Sequence, residues 1–556
     1  MPHPFVDRIA LLGSPTRVDP GWTPDHLGTL RTQGFTHVQL NIAWGRRPDD
    51  EALNLEDAVA VPPALAAAYP PRGPIPQRAK AERLVERADA IRTRAAAAHR
   101  AGLRTVFHAG VPGLGMYAVP MAQWSGPLAR CISDPATHRY YAGLLAAFAD
   151  AHPEVDDLLI YTYDQDAWIC SEFGTCPACR GVPLHRRLPQ FVDHLARTWR
   201  SHRAGARTWW EPWELSAGQV HACVAELDPT SGIALALHSN IAEVQATLAV
   251  DRWLRNTCEL ARRRGLHVTV EHWLGAGSEE VEPLAHLSHP QLTWRALQRI
   301  AALPGVGGIK EYFGLQPDRP DPNLAVTALF LAEPDLDEAT AMHRVAAQFS
   351  TDPSALVAFW AACADGMEAF PWDASWWIRQ LGKARPDHAM SAAIVRGFCA
   401  DSPSWRSTRG AVFMRIDNLP THPWLLEDIE LRCRQAAAHW AQAFTLAPAL
   451  TPHLSATWQE GFALGLKDLD HCRRMALGYA HHCRLTNLAE LLRAAPEDRL
   501  FSELVSELAA SAANAPSEEI VRAQADLAAN PQRFLATWLL PATSGSGRGV
   551  YSVTSA

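Results

Sequence analysis

The sequence predicts an α/β fold, a (β/α)8 barrel followed by a mostly α-helical domain. With 556 residues the chain is longer than one hydrophobic core usually organises, so we expect two large domains. From residue 8 to about residue 332, short apolar or β-branched segments alternate with longer helical segments, which is typical of a parallel sheet with crossover helices. Eight strand segments are the number that closes a barrel.

The predicted strands are short apolar runs that end in polar residues. They span residues 8–13, 37–43, 105–109, 157–163, 207–211, 233–238, 267–273 and 308–313. Thr23 before Pro24 and Asp134 before Pro135 are start signals for the helices between strands, since the polar residue can cap a helix that begins with proline. We expect a helix over residues 79–101 and a long proline-rich loop over residues 51–76 that could overhang the barrel mouth.

After Asn323 the alternation stops, and the rest of the chain predicts helices over residues 337–349, 427–444, 457–483 and 518–529. We place the barrel in residues 1–325, the helical domain in residues 326–545 and a flexible tail in residues 546–556. Trp372, Trp376 and Trp377, together with the segment 415–424, could cover the barrel face, line its pocket or form the seam of a homodimer. Core packing is the commonest use of such residues.

Composition and charge exclude several classes of partner. The formal net charge is −8, and 20% of the residues are charged, which argues against a nucleic-acid partner. The N-terminal run MPHPFVDRIALLG has no export signal, and no segment reaches the roughly 18 to 20 apolar residues of a membrane span. The eleven cysteines are scattered, so we expect no disulfide framework. We therefore expect a cytoplasmic protein that binds a small neutral or weakly charged ligand.

Carboxylates at the ends of the predicted strands are the candidate catalytic residues. The reacting groups of such barrels lie at the C-terminal ends of the strands. Crowding several carboxylates into one cavity raises one pKa and leaves that group protonated, as an acid and base pair requires. Cleavage of a glycosidic bond needs one carboxyl to protonate the leaving oxygen and another to attack or to activate water. Any two of Asp164, Asp166, Glu211 and Glu271 could serve, although any one of them could instead cap a helix or pair with an arginine.

Polar and aromatic residues at or just past the strand ends are candidate substrate contacts. Sugar rings can stack on aromatic faces, while their hydroxyls bond to amides, carboxylates and imidazoles. We expect Trp213 and Trp273 to face the ligand, whereas others could be packing aromatics at the barrel rim. The predicted set is Asn41, Trp44, His108, Trp168, Trp210, Trp213, His238, Asn240, Trp273, Lys310, Glu311 and Tyr312.

A cysteine cluster follows the fourth predicted strand. Cys170, Cys176 and Cys179 have the spacing C-x5-C-x2-C, and His185 follows them. Three thiolates and one imidazole can hold a structural zinc ion. Free thiols in a buried loop, or a reversible disulfide between Cys176 and Cys179, are the alternatives. Three thiolates would leave little positive charge on the metal to acidify water, so we expect catalysis to need no cofactor.

Four motifs together carry a family resemblance. The runs YTYDQDAWICSEFGTCPAC, WEPWE, VEHWLG and GIKEYFG, in this order, resemble the barrels of retaining and inverting glycoside hydrolases, in the broad group that includes α-glucuronidases and β-N-acetylhexosaminidase-like enzymes. The resemblance covers about the first 325 residues. It implies that Asp164 or Asp166 is the acid and that Glu271 is the nucleophile or base. The strand-four run Asp-Gln-Asp differs from the Asn-Glu of many retaining enzymes and from the Asp-Glu of hexosaminidases.

The sequence thus predicts a glycoside hydrolase that acts on a small oligosaccharide or glycoside. The loops 51–76 and 170–187 would close a pocket rather than a groove, which favours exo action on a terminal sugar. One alternative is a metal-dependent barrel hydrolase or lyase that uses His108, His238 and His272, although the H-x-H signature is absent from the first strand. The other alternative is a non-catalytic carbohydrate-binding barrel.

Overall fold

A computed structural model describes residues 3–13, 21–41, 51–72, 83–113, 129–163, 167–213, 215–240, 244–276, 284, 286–372 and 423–538. Five residues named above, Trp44, Asp164, Asp166, Trp376 and Trp377, lie outside this part of the chain, as do residues 415–422 and the predicted tail.

Eight parallel strands form a closed barrel in sequence order, which confirms the predicted fold class. β1 pairs with β2 on one side and with β8 on the other, where Asp7 is in register with Gly308. The strands are β1 (Asp7–Leu11), β2 (His37–Gln39), β3 (Arg104–Gly110), β4 (Asp157–Tyr161), β5 (Thr208–Glu211), β6 (Ile233–His238), β7 (His267–His272) and β8 (Val306–Glu311). All eight strands therefore lie where the apolar runs predict them.

Two of the helices around the barrel begin at the predicted signals. The side chain of Thr23 accepts a hydrogen bond from the backbone N–H of His26, and Asp134 accepts one from Ala136, so both residues are N-caps. The helices are α1 (Pro24–Thr32), α2 (Leu55–Ala58), α3 (Pro63–Ala68), α4 (Leu84–Arg100), α5 (Pro135–Ala151), α6 (Leu188–His202), α7 (Ala217–Glu226), α8 (Val244–Thr247), α9 (Arg252–Arg264), α10 (Pro290–Ala301) and α11 (Pro322–Ala332).

The segment after β2 is not the plain loop that its proline content predicts. It contains the short helices α2 and α3, and it packs against the end of β3. The backbone N–H of Gly110 donates to Leu53 O at 2.8 Å, and Asn54 Nδ2 donates to Gly110 O at 2.8 Å. Glu51 forms an ion pair with Arg94 of α4 at 2.9 Å. These contacts fix residues 51–58 beside the C-terminal end of the barrel.

Two layers of buried side chains fill the barrel interior between the N-terminal ends of the strands and the C-terminal face. At the N-terminal end, Asp7 contacts His267 at 2.7 Å, and Asp157 contacts His37 at 3.7 Å. Above this charged layer lies an apolar layer in which Trp209 Nε1 donates to Thr269 Oγ1 at 2.9 Å. This layer consists of Ile9, Val106, Leu159, Trp209, Ala234 and Ala236. Since both layers are buried, the C-terminal face is the side of the barrel that remains for a ligand.

The C-terminal part of the described chain is helical, as predicted. Its helices are α12 (Glu338–Phe349), α13 (Pro353–Ala369), α14 (Pro423–Leu450), α15 (Gln459–Ala494), α16 (Asp498–Asn514), α17 (Glu518–Ala529) and α18 (Pro531–Trp538). Trp372 is buried, with Nε1 donating to Met367 O at 2.9 Å, so it takes the core-packing role. Asp468 of α15 accepts from the backbone N–H of His286, in the connection after β7. No helix in the described ranges is long and apolar enough to span a membrane.

Candidate active site

Glu211, at the end of β5, lies between two histidines from neighbouring strands. Its Oε1 is 2.8 Å from Nε2 of His238 on β6, and its Oε2 is 2.9 Å from Nε2 of His108 on β3. The other ring nitrogen of His108, Nδ1, is 3.4 Å from Gln39 Nε2 on β2. Side chains alternate between the two sides of a strand, so all four residues point into the barrel. Together they form the upper layer of the barrel interior.

The two imidazoles control the charge of Glu211. Burial alone would raise the pKa of this carboxyl, but the hydrogen bonds and charges of His108 and His238 outweigh burial and hold the pKa well below its usual range. Glu211 is therefore a carboxylate at neutral pH. It is poorly suited to donate a proton and well suited to orient the two rings.

Glu271, at the end of β7, forms a second and fully buried pair. Lys310 Nζ on β8 donates to Glu271 Oε2 at 2.9 Å and to Glu311 O at 3.2 Å. His238 Nε2 lies 3.9 Å from the same Glu271 oxygen. The other oxygen, Glu271 Oε1, is buried and has no hydrogen-bond partner among the described residues. A buried carboxyl oxygen without a partner is costly in a folded interior and is a candidate for contact with a reacting atom.

The two carboxylates belong to one compact group. One ligand atom each of Glu211, His238 and Glu271 lies within 4.8 Å of the others, a distance at which a metal ion could also bind. However, Lys310 already places a positive charge on Glu271. A divalent cation at this group would face that ammonium at close range, so the arrangement favours chemistry without a metal.

Aromatic rings border this group on its outer side. The half-buried indole of Trp213 stacks on His238, with ring centroids 4.1 Å apart and planes at 24°. The rings of Tyr312 and His238 pack edge to face, with centroids 4.8 Å apart. Trp273 is buried against Tyr312 and Phe313, and its Nε1 has no hydrogen-bond partner among the described residues. Among these rings, Trp213 is the most exposed to solvent.

The structure brings together eight of the sixteen predicted catalytic and substrate-contact residues. The group formed by His108, Glu211, Trp213, His238, Glu271, Trp273, Lys310 and Tyr312 is called the barrel-mouth cluster below. Asp164, Asp166 and Trp44 lie outside the described residues, so their roles stay predictions. Gln39 and Tyr161 were not predicted; Tyr161 packs edge-on against His108 with ring centroids 5.0 Å apart. The alternation along β2 and β4, which places these residues on the same side as Asn41 and Leu159, could have identified them.

Two residues expected at the ligand, and one histidine of the metal-dependent alternative, lie instead on the opposite side of their strands. Trp210 is fully buried among the surrounding helices, with Nε1 donating to Thr162 Oγ1 at 3.1 Å. The carboxylate of Glu311 accepts hydrogen bonds from the backbone N–H groups of Leu274, Phe313 and Gly314. His272 contacts Ser239 Oγ at 2.9 Å through Nδ1. These three side chains point away from the barrel interior. The predictions that Trp210 and Glu311 contact substrate are therefore wrong, and so is the predicted metal site that includes His272.

The remaining predicted contacts have other partners. Both sides of the Asn41 amide bind the backbone of His108, since Nδ2 donates to His108 O at 2.7 Å and Oδ1 accepts from His108 N at 2.9 Å. Asn41 thus positions His108. Asn240 Nδ2 donates to Leu248 O at 3.0 Å. Trp168 packs edge-on against Tyr163 with ring centroids 4.3 Å apart and lies beside the cysteine cluster.

The cysteine cluster has four members, and the fourth is not the predicted one. The sulfurs of Cys131, Cys170, Cys176 and Cys179 lie within 4.8 Å of one another and are buried. His185 belongs to the short 3₁₀ turn Leu184–Arg186 and is not part of this group. Cys131 comes from the connection between β3 and α5, about 40 residues away in sequence. Its thiol pKa is lowered, chiefly by a hydrogen bond from Cys170 and against the effect of burial.

These features define the class of the molecule as a (β/α)8 barrel with a polar, carboxylate-containing cluster at its C-terminal face, followed in the chain by a helical region. No protein-family model matches the chain, and no curated protein matches it in sequence. Among solved structures, the chain is similar in fold to a GH138 enzyme targeting pectin rhamnogalacturonan II, with 10% sequence identity and a TM-score of 0.53. The similarity covers 92% of this chain and 62% of that protein, so the chain spans less than two thirds of its length.

Two further structures match over part of the chain. One is the catalytic domain of β-amylase from Paenibacillus polymyxa, with 9% identity, a TM-score of 0.34, and coverage of 58% of this chain and 94% of that chain. The other is a GH20 exo-β-N-acetylglucosaminidase from Vibrio harveyi, with 12% identity, a TM-score of 0.32, and coverage of 62% of this chain and 54% of that chain.

Proposed function

We propose that the chain is a glycoside hydrolase and that Glu271 is its nucleophile. The observation that carries the proposal is the state of Glu271 in the barrel-mouth cluster. Oε2 is bound to Lys310, whereas Oε1 is buried without a hydrogen-bond partner. A carboxylate that is held through one oxygen, and whose other oxygen has no hydrogen-bond partner, is suited to attack an anomeric carbon.

Glu211 has a positioning role in this proposal. Its low pKa makes it unsuitable as the proton donor, and its two contacts fix His108 and His238 beside Glu271. The proton donor is then Asp164 or Asp166. Both follow β4, which is the neighbour of β5, the strand of Glu211, and both match the acid position of the family that the sequence resembles.

The reaction follows in two steps. Glu271 Oε1 attacks the anomeric carbon and forms a glycosyl ester, while the strand-four acid gives its proton to the departing oxygen. Water then attacks the ester with the same aspartate as base, and Glu271 leaves as a carboxylate. Two displacements at one carbon predict that the product retains the anomeric configuration of the substrate.

Exo action on a terminal sugar is part of the proposal. Residues 51–58 are fixed beside the end of β3, and the cysteine-containing loop follows β4, so two neighbouring sides of the barrel face carry enclosing segments. A pocket closed in this way accepts the end of a chain rather than its middle. Trp213 would provide the stacking surface for the terminal ring.

A panel of nitrophenyl glycosides tests the activity. We expect turnover of at least one monosaccharide glycoside by the wild type, and its loss in Glu271→Ala and in one of Asp164→Ala and Asp166→Ala. Glu259→Ala removes an exposed carboxylate of α9 and is the control that keeps full activity. Unchanged turnover in all the site variants, or calorimetric binding of sugars without turnover, would contradict the proposal. Digestion of an oligosaccharide to monosaccharide alone, with no shorter oligomers at early times, would support exo action.

A further inference from the structure

We propose that Cys131, Cys170, Cys176 and Cys179 bind a structural zinc ion as four thiolates. A tetrahedral zinc site with Zn–S bonds of about 2.3 Å has sulfurs about 3.8 Å apart. The Sγ atoms of Cys131 and Cys176 are 3.7 Å apart, and those of Cys131 and Cys179 are 3.2 Å apart. Four buried sulfurs that converge in this way from two loops match the donor set and the dimensions of a closed zinc site.

The backbone around the sulfurs is organised for such a site. Between Cys176 and Cys179 the chain makes a tight turn, because the N–H groups of Cys179 and Arg180 both donate to Cys176 O, at 3.1 and 2.9 Å. Cys131 lies in a second turn, in which the N–H of Asp134 donates to Cys131 O at 2.9 Å. Ser133 Oγ lies 3.3 Å from the sulfur of Cys179, where its hydroxyl can donate to a thiolate.

A buried arginine provides an independent indication of negative charge at this place. Arg187 is buried, and it donates to Cys170 O at 2.7 Å and to Val182 O at 3.0 Å. Its Nη1 atom has no hydrogen-bond partner among the described residues. A buried guanidinium needs an anion nearby. Four neutral thiols supply none, whereas zinc with four thiolates carries a net charge of −2.

The ion would be structural rather than catalytic. Four protein thiolates complete the tetrahedron and leave no position for water. The site joins the connection after β3 to the connection after β4, and it packs against Trp168, whose ring lies edge-on to Tyr163, two residues beyond β4. Zinc would thus hold together two loops on the rim of the barrel face. The inference does not depend on the proposed hydrolase activity.

Metal analysis of the purified full-length protein tests the inference. We expect one zinc ion per chain in the wild type and in His185→Ala. We expect loss of zinc in Cys131→Ser. Cys223→Ser, which removes a buried thiol of α7 outside the cluster, is the matched control and should keep the metal. Zinc that is retained in Cys131→Ser and lost in His185→Ala would overturn the four-cysteine assignment.

A second measurement avoids the risk that Cys131→Ser does not fold. Wild-type protein expressed with cobalt should show tetrahedral absorption bands together with thiolate-to-cobalt charge transfer of four-sulfur coordination. Mass spectrometry after alkylation under denaturing, non-reducing conditions should find all four cysteines modified. A metal-free protein with a disulfide between any two of the four would overturn the inference, whatever the outcome of the glycoside assays.

Discussion

Replacement of Lys310 by methionine should strongly destabilise the folded protein. Lys310 and Glu271 are both completely inaccessible to solvent, and their charged atoms are 2.9 Å apart. Methionine fills much of the space of the lysine stem but leaves the carboxylate of Glu271 buried without its cation. The loss of one partner of a buried ion pair typically costs about 3–5 kcal/mol in the free energy of unfolding. We expect an effect of that size for Lys310→Met.

The double variant Glu271→Gln/Lys310→Met separates the charge effect from packing. Since neither buried charge remains, we expect it to recover much of the lost stability, which a double-mutant cycle measures as a coupling energy. Arg344→Met, which breaks the exposed pair with Glu333, is the control and should have a much smaller effect. Urea unfolding followed by tryptophan fluorescence gives the four free energies. If Lys310→Met is as stable as the wild type, or if the double variant is no more stable than Lys310→Met, the pair does not stabilise the interior of the barrel mouth.

Three further outcomes follow from the structure. Burial lowers the pKa of His272 to about 3, so the unfolded chain binds this proton below about pH 6.5 while the folded protein does not, and stability falls as the pH is lowered from 6.5. His272 contributes about 1.4 kcal/mol per pH unit to this fall in the free energy of unfolding. Urea titrations between pH 6.5 and 4.5 should show that the free energy of unfolding depends less steeply on pH in His272→Gln than in the wild type. An equal dependence would refute the prediction. A Cβ at Gly366 would overlap the indole of Trp440, so Gly366→Ala should lower the free energy of unfolding by about 1–3 kcal/mol, whereas Gly28→Ala, with open space around its Cβ, should not be destabilising. Trp213→Ala should raise KM for the hydrolysed glycoside more than it lowers kcat, and Trp213→Phe should keep a near-normal KM; no change in KM for Trp213→Ala would remove the stacking role.

The barrel could be predicted from sequence because its strands have a simple signature. Strands that are buried on both faces are continuous apolar runs, and each run here ends in a polar residue at the C-terminal edge. The N-caps Thr23 and Asp134 act through local hydrogen bonds within three residues, so they are also readable from sequence. The helices α2 and α3 were missed because prolines near residues 62–71 suggested an irregular loop.

The errors in the site come from the side of the strand on which a residue lies. Glu211 points into the barrel, so Trp209 does as well and Trp210 cannot. The same alternation places Glu271 inside and His272 outside. If one carboxylate of a strand is taken to point inward, every second residue of that strand points inward as well. Applying this alternation to β5 and β7 would have corrected these predictions without coordinates.

Cys131 could not be assigned by spacing. The sequence shows three cysteines close together, and a nearby histidine is the natural fourth ligand. The fourth sulfur instead comes from the connection before α5, which the barrel places beside the loop after β4 because β3 and β4 are neighbours. The contact is a property of the closed sheet rather than of the local sequence.

Covalent trapping tests the role of Glu271 most directly. A 2-deoxy-2-fluoro glycoside of the sugar that the enzyme hydrolyses slows both steps and lets the glycosyl ester accumulate. We predict a mass increase of one fluorosugar per chain, located by peptide mass spectrometry on Glu271, together with retained configuration in the product by NMR. An adduct on another carboxylate, or product of inverted configuration with no adduct, would contradict the assignment of Glu271 as the nucleophile.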